Sequence, residues 1–397
     1  MKLSLVKLRL GVIGLGLILL SGWVGFRLGQ KSAPVIYRST TDQADMGLFW
    51  QVWDKLDEAY LIKESLKPQE MVYGAIRGMT AALGDPYTVF LPPEANKESK
   101  EELNGAFEGV GIQLGFKDGQ LAVMAPLEGM PAIAAGARAG DLILHIKDET
   151  KNIDQDTTGL SLPEAVKLIR GDKGTSIELT ILHKDLPDPV TLKIKRDTIV
   201  VKSVELEWVG DGANIAQLKL TRFGGRTQAE WQEAVVEIAK KRPAGIILDL
   251  RNNPGGYLQG AVDLAGEFLP VGKLVVKQED AQGKVETYSV DKVGQLLTQP
   301  LIVLVNQGSA SSSEILAGAL KDHGRARLVG EKTFGKGTVQ EALDVSGGAG
   351  LHVTTAKWLL PSGVWVNDTK GLTPDVEVKD DPETESDEQL TKAIEEL

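Results

Sequence analysis

Ser311 stands in the run Asn306-Gln307-Gly308-Ser309-Ala310-Ser311-Ser312-Ser313-Glu314-Ile315, and Lys336 in Thr333-Phe334-Gly335-Lys336-Gly337-Thr338-Val339-Gln340. A serine hydroxyl is a poor nucleophile unless a nearby base takes its proton, and a neutral lysine can be that base. Ser309, Ser312 and Ser313 compete with Ser311 for the nucleophile's place, because residue type alone does not choose among them. A free lysine has a pKa of about 10.4, so only about one in 2,500 is neutral at pH 7. Bringing that value down by about 3 costs the charged form roughly 4 kcal/mol, which burial among apolar groups can supply. Trp358, Leu351, Val353 and Leu359 are candidate walls. A histidine base is the alternative. His145 and His183 fall in a separate middle segment, and His323 near the far end of the helix after Ser311, too far at about 1.5 Å of rise per residue. His352 sits in an alternating, strand-like run.

The surrounding sequence reads as the machinery that would hold these groups. Leu301 to Val305 is a short apolar run of mostly β-branched residues, which predicts a buried strand. Glu314 to Leu320 carries apolar residues at helical spacing. A serine on such a strand-to-helix turn sits beside the first free N–H groups of the helix, which favour developing negative charge. A second strand is predicted over Ile246 to Leu250. Asn253-Pro254-Gly255-Gly256 then forms a tight turn, since glycine permits positive φ, and a helix follows from about Tyr257. Asp249 and Arg251 read as holders of that turn.

The pattern Gly-Ser-Ala-Ser-x-Ser-Glu-Ile followed by Phe-Gly-Lys-Gly-Thr-Val-Gln resembles the carboxyl-terminal processing proteases, serine endopeptidases with a Ser–Lys dyad and an inserted PDZ domain. The resemblance covers roughly residues 45 to 378. It implies Ser311 as nucleophile, Lys336 as base, and Gln340, a helical turn later, as the residue that positions the lysine amine. It implies an oxyanion hole built from the N–H of Gly256, with Gly255 in reserve, and the N–H of Ser312. The family usually has alanine where this chain has Ser312; the added oxygen leaves the backbone donor in place. No cofactor and no metal are implied.

Glu108-Gly109-Val110-Gly111-Ile112-Gln113-Leu114 resembles the carboxylate-binding loop and following strand of a PDZ domain. Gly109, Val110, Gly111 and Ile112 would then hold a peptide's terminal carboxylate and pair with its main chain. Ala139 to Leu144, a helix over Leu162 to Ile169 and an alternating strand over Thr175 to Ile181 continue the likeness. Ile112 and Val166 would shape an apolar pocket, so protein substrates with apolar C-termini are expected.

At 397 residues the chain exceeds one ordinary domain. An apolar share of 42% with 25% charged residues is that of a globular protein, and a net charge of −11 argues against nucleic acid. There is no cysteine, hence no disulfide and no thiolate metal site. Leu10 to Phe26 is a charge-free apolar run at the short end for a membrane span, preceded by Lys2, Lys7 and Arg9. It reads as an uncleaved anchor with the catalytic part outside the cytoplasm, on the periplasmic or extracellular side. A cleaved signal peptide is the rival.

The expected organisation is an anchor or signal at 1–30, a linker at 31–44, a helical region at 45–106, a PDZ domain at 107–197, a protease core at 198–379 and an acidic tail at 380–397. Gln389 to Leu397 reads as an amphipathic helix, in a tail that composition makes a solvated surface rather than a docking segment. The fold class is mixed α/β, with a core resembling the crotonase and Clp-protease fold. The resemblance further implies that the N-terminal helices serve packing and assembly, so a homo-oligomer. The function expected is an extracytoplasmic, membrane-anchored serine endopeptidase that captures protein C-termini. Two rivals are an inactive binding relative that tethers partners through its PDZ domain, and a small-molecule enzyme of the crotonase-like fold.

Overall fold

The computed structural model describes residues 45–127, 129–184, 186–380, 384 and 386–397, so the expected anchor and linker lie outside the described residues. Among the described residues no helix is long and apolar enough to cross a membrane. The described residues divide into two units, one ending at Met71 and one running from Val72 to Leu397. In the first, helix α1 (Gly47–Ala59) carries no buried residue, and its Phe49, Trp50 and Trp53 rings touch one another. Helix α2 (Pro68–Ala81) begins there and ends in the second unit.

The second unit continues through β1 (Val89–Leu91) and α3 (Pro93–Asn104). Then come β2 (Ala106–Gly109), β3 (Ile112–Lys117), β4 (Gln120–Pro126), α4 (Pro131–Ala134), β5 (Leu142–Asp148), β6 (Ile153–Asp156), α5 (Leu162–Ile169), β7 (Ser176–Leu182), β8 (Val190–Lys195) and β9 (Asp197–Val200). Strands β2 and β9 pair antiparallel, Ala106 opposite Val200 and Gly109 opposite Asp197, so the chain leaves and returns at one place. Between them β3, β4, β5, β7 and β8 form, in that order, an antiparallel sheet with β6 added to β5. This module has its own apolar core, with Leu121, Val123, Ile143, Ile146, Ile177 and Leu179 at its centre.

The rest is mixed α/β. It runs β10 (Val204–Val209), β11 (Ile215–Leu220), α6 (Thr227–Lys241), β12 (Gly245–Asp249), α7 (Leu258–Ala265), β13 (Leu274–Asp280), β14 (Val285–Ser289), β15 (Leu301–Val305), α8 (Ser312–Asp322), β16 (Arg327–Gly330), β17 (Thr338–Asp344), β18 (Gly350–Leu359), α9 (Val366–Thr369), β19 (Val376–Glu377) and α10 (Glu388–Glu395). One sheet has the order β10-β11-β12-β15-β16-β19, parallel except for the β10–β11 pair. Strands β12 and β15 are buried at every position, as their apolar runs Ile246–Leu248 and Leu301–Val305 require of strands covered on both faces. They are neighbours with Asp249 opposite Leu304, so their carboxyl ends are level. Binding clefts of open parallel sheets form at such ends. The turn with Gly255 and Gly256 leaves β12 there, and the serine-rich turn leaves β15. A second, antiparallel sheet, β1-β18-β13-β14 with β17 against β18, carries the strand that leads out of the Lys336 loop.

One expectation is corrected by the packing. The tail does not remain solvated. Leu390, Ala393, Ile394 and Leu397 form an apolar stripe that packs on Ile215, Ile247, Ile302, Leu304 and Val329, the face of the parallel sheet away from the main core. Arg251 fixes the start of this helix. It pairs with Asp249 at 2.7 Å and Asp387 at 2.8 Å, so it holds the turn after β12 and the tail together.

Candidate active site

Ser311 is the N-cap of α8 and has φ 53, ψ −115. A positive φ costs a non-glycine residue on the order of 1–3 kcal/mol and persists only when the surroundings impose it. Here they do. Glu314, one turn on, reaches back to accept from the Ser311 backbone N–H at 2.9 Å. The neighbouring hydroxyls are committed elsewhere. Ser309 Oγ donates to the Leu250 carbonyl at 2.8 Å, Ser312 Oγ to the Gly256 carbonyl at 3.0 Å, and Ser313 Oγ to the Asn253 carbonyl at 2.9 Å. Among the described residues, Ser311 alone of the four donates its hydroxyl proton to no acceptor. Ser311 is half-buried and lines a cleft of about 830 Å³.

The same cleft is lined by Ser312, Gly255, Gly256, Lys336 and Gln340. The sequence motifs from three separate loops thus meet at one place. The glycine turn abuts the serine turn. A Cβ on Gly255 (φ +100) would lie 2.9 Å from Ser311 Cβ and 3.0 Å from Ser312 N. Gly256 (φ +142) is bridged to Phe223: Phe223 N–H donates to the Gly255 carbonyl at 2.9 Å, and Tyr257 N–H to the Phe223 carbonyl at 2.8 Å. These bonds leave the Gly256 N–H outside the bridge. A Cβ on Gly256 would sit 2.1 Å from the Phe223 carbonyl oxygen. Gly256→Ala is therefore expected to displace the turn and lower kcat by about 100-fold or more, the scale of a lost oxyanion donor. Steady-state kinetics beside a thermal melt would check this: lost turnover with a folded protein is the expected outcome.

Lys336 is half-buried, and burial pushes its amine below the ordinary lysine value, against the pull of the Asp85 and Glu314 charges. Its Nζ lies 4.6 Å from the centre of the Tyr87 ring. Trp358 is fully buried and donates from Nε1 to the Lys336 carbonyl at 3.1 Å, so this expected wall does line the cleft; Leu351, Val353 and Leu359 are not among its lining residues. Gln340 lies on β17, not on a helix. Its Nε2 donates to Thr338 Oγ1 and Thr354 Oγ1, both at 3.0 Å. Among the described residues, no hydrogen bond joins Gln340 to Lys336 Nζ. Glu314 is fully buried and joins the two loops. Its Oε1 accepts from Thr333 Oγ1 at 2.5 Å and Gly335 N–H at 2.7 Å, and its Oε2 from Lys336 N–H at 2.9 Å as well as from Ser311. Burial pushes this carboxyl up, against four donors that favour the ionised form.

The histidines separate clearly. His145 and His183 pair with Asp154 and Asp141 in the inserted module. His323 Nε2 is bonded to the Leu274 carbonyl at 2.7 Å at the far end of α8. His352 lines the cleft, and burial followed by the Lys336 charge holds it below the ordinary histidine value. Of the expected peptide-binding segment, Gly109 ends β2, Ile112 opens β3, and Val110 turns into the module's core. Gly111 (φ +77) packs so closely that a Cβ would meet Met130 Cβ at 2.3 Å. Helix α5, which carries Val166, lies against β3.

Comparison with known proteins decides the chemistry. The model of peptidase family S41 matches residues 214–378. The carboxy-terminal processing protease CtpA of Bacillus subtilis is 36% identical over 384 residues, 96% of this chain and 77% of that protein. The chain belongs to peptidase family S41. It is a carboxyl-terminal processing protease by family and a serine-type peptidase by class. The carboxyl-terminal-processing protease of Picosynechococcus is 38% identical over 363 residues, 86% of this chain and 84% of that one. A putative S41 protease from Bacteroides fragilis shares the fold at 14% identity, with a TM-score of 0.54 over 87% of this chain and 92% of that one.

Two residues near this S41 peptidase's candidate site, Asp85 and Tyr87, lie outside the motifs, and a third, Glu314, stands in the serine motif with no role read for it. Pro86, between Asp85 and Tyr87, reads with Pro92 and Pro93 as a break in the chain before the inserted module. The available hint was a charged and an aromatic residue kept together in a tight turn. Burial raises the Asp85 carboxyl, but hydrogen bonds from Thr354, Thr88 and the Tyr87 backbone hold it below the ordinary aspartate value, so it faces the lysine as an anion.

Proposed function

We propose that this serine peptidase works through a Ser311–Lys336 dyad and takes its substrates by their C-termini. Ser311 attacks a peptide carbonyl, Lys336 accepts the hydroxyl proton and returns it to the leaving amine, and an acyl-enzyme forms and is hydrolysed. The Gly256 and Ser312 N–H groups stabilise the oxyanion, and Gln340 belongs to the same polar cluster. The observation that carries this reading is the convergence of Ser311, Lys336 and the Gly255-Gly256 turn on one cleft, with Ser311 the serine whose proton is uncommitted. The core is read as crotonase-like.

The inserted module is read as a PDZ domain spanning 107–197. Support comes from an antiparallel sheet closed at its neck by β2 and β9, and from helix α5 lying against β3, the strand that opens at Ile112 at the end of the Gly109 to Ile112 loop. A terminal carboxylate would dock on that loop and the peptide would extend β3. Anchoring through residues 1–30, a catalytic part outside the cytoplasm and assembly through the N-terminal helices belong to the same proposal.

The test uses the full chain and two forms of one unfolded protein, ending in an apolar residue with either a free carboxylate or an amide. The free form is expected to be cleaved at least about tenfold faster at low substrate, since the amide lacks the charge the loop would bind. Equal rates would remove C-terminal capture from the reading while leaving the peptidase chemistry intact.

A further inference from the structure

Lys336 Nζ makes no hydrogen bond or ion pair among the described residues; its close polar-face partner is the ring of Tyr87, 4.6 Å from centroid to nitrogen. An ammonium within about 6 Å of a ring face is attracted by the ring's quadrupole, and a neutral amine gains almost nothing from it. The ring is held where it is. Tyr87 N–H donates to Asp85 Oδ1 at 3.0 Å, Thr88 Oγ1 to Asp85 Oδ2 at 2.7 Å, and Thr354 N–H to Thr88 Oγ1 at 3.1 Å. The strand that follows, β1, pairs with β18 so that Val89 faces His352. The Asp85–Thr88 turn is thus fixed to the sheet behind the cleft, and Thr354 also accepts from Gln340.

We propose that Tyr87 is a positioning residue that docks the Lys336 ammonium on its ring and so sets how readily this lysine becomes the neutral base at Ser311. The functional meaning rests on the reading of Lys336 as base; the docking itself does not. The groups that face Lys336 are Asp85 and Tyr87 from the turn before β1, Glu314 from α8 and His352 from β18, with Glu102, Arg222 and Glu341 on the same cleft wall. Asp85 and Glu314 also favour the ammonium, while burial opposes it. The ring acts with the anions: it favours the protonated amine.

The experiment reads the lysine itself. Pulses of acetic anhydride over a range of pH, with mass spectrometry of the peptide containing Lys336, give its titration midpoint in the full-length protein. Tyr87→Phe keeps the ring face and is expected to leave the midpoint unchanged. Tyr87→Leu keeps an apolar wall but removes the π face, and is expected to lower the midpoint by about one pH unit. The acid limb of kcat/KM should move down by the same amount. A trifluorinated phenylalanine at position 87 keeps the shape while weakening the quadrupole, so it serves if Tyr87→Leu does not fold, and it should shift the midpoint in the same direction. A midpoint that stays or rises in these ring-altered proteins overturns the proposal. A Lys336→Ala protein that still cleaves substrate would instead remove the base assignment, and the labelling midpoints would still decide the docking.

Discussion

Ser311→Ala and Lys336→Ala are each expected to abolish proteolysis, by on the order of 10⁴-fold or more in kcat, with the protein still folded. The reason is geometric first. The serine proton has no other acceptor among the described residues, and three neighbouring serines are tied to backbone carbonyls. Ser309→Ala and Ser313→Ala should therefore act on stability rather than on turnover, at about 1 kcal/mol per bond lost: two for Ser309, which also accepts from the Asn306 N–H, and one for Ser313. The double variant Ser311→Ala/Lys336→Ala should be no worse than either single one, because the pair acts as a unit. The pH profile follows with a definite sign. The base works when deprotonated, so kcat/KM should climb as pH rises through the Lys336 pKa. Burial lowers that value, so the climb should fall at lower pH than for a lysine in water. Substantial turnover by Lys336→Ala would instead point to His352, the histidine that shares the cleft.

The parts that sequence made legible are those fixed by short-range rules. β12 and β15 are legible because a strand covered on both faces carries a near-continuous apolar run. The turns after them are legible because Gly255, Gly256 and the small serine-rich run have few other conformational uses. What was illegible depends on partners far along the chain. Tyr87 reaches Lys336 only because β1 pairs with β18, and no local pattern announces that register. Gln340 follows Lys336 by a spacing that suggests a helical turn, yet it lies on a strand beside Thr338 and across from Thr354. The tail's amphipathic helix was legible but not its docking, because the sheet face that receives Leu390, Ala393 and Ile394 exists only once β11, β12, β15 and β16 have paired. Glu314 reads locally as an ordinary acid in the first turn of a helix, favoured there by the helix dipole.

In the fold Glu314 is the strut between the serine turn and the Lys336 loop, the two halves of the proposed dyad, and its replacement carries the second large expected effect. Four donors converge on its carboxyl: the N–H groups of Ser311, Gly335 and Lys336 and the Thr333 hydroxyl. The group is fully buried, so no water replaces a lost partner. Glu314→Gln keeps the shape and one oxygen, but turns an NH₂ toward two N–H or O–H groups that need an acceptor. Each buried donor left unpaired costs about 1–3 kcal/mol, so an unfolding free energy lower by roughly 2–5 kcal/mol is expected. Glu314→Ala orphans all four and should be worse. Catalysis should suffer beyond stability, because one end of the strut sets the strained φ of Ser311 and the other sets the backbone of Lys336. A fall in kcat of about 100-fold or more, at a temperature where Glu314→Gln is still folded, is the expected result. Chemical denaturation and single-turnover acylation measured on the same preparation separate the two effects. A variant that loses stability but acylates at the normal rate would reduce Glu314 to a structural residue.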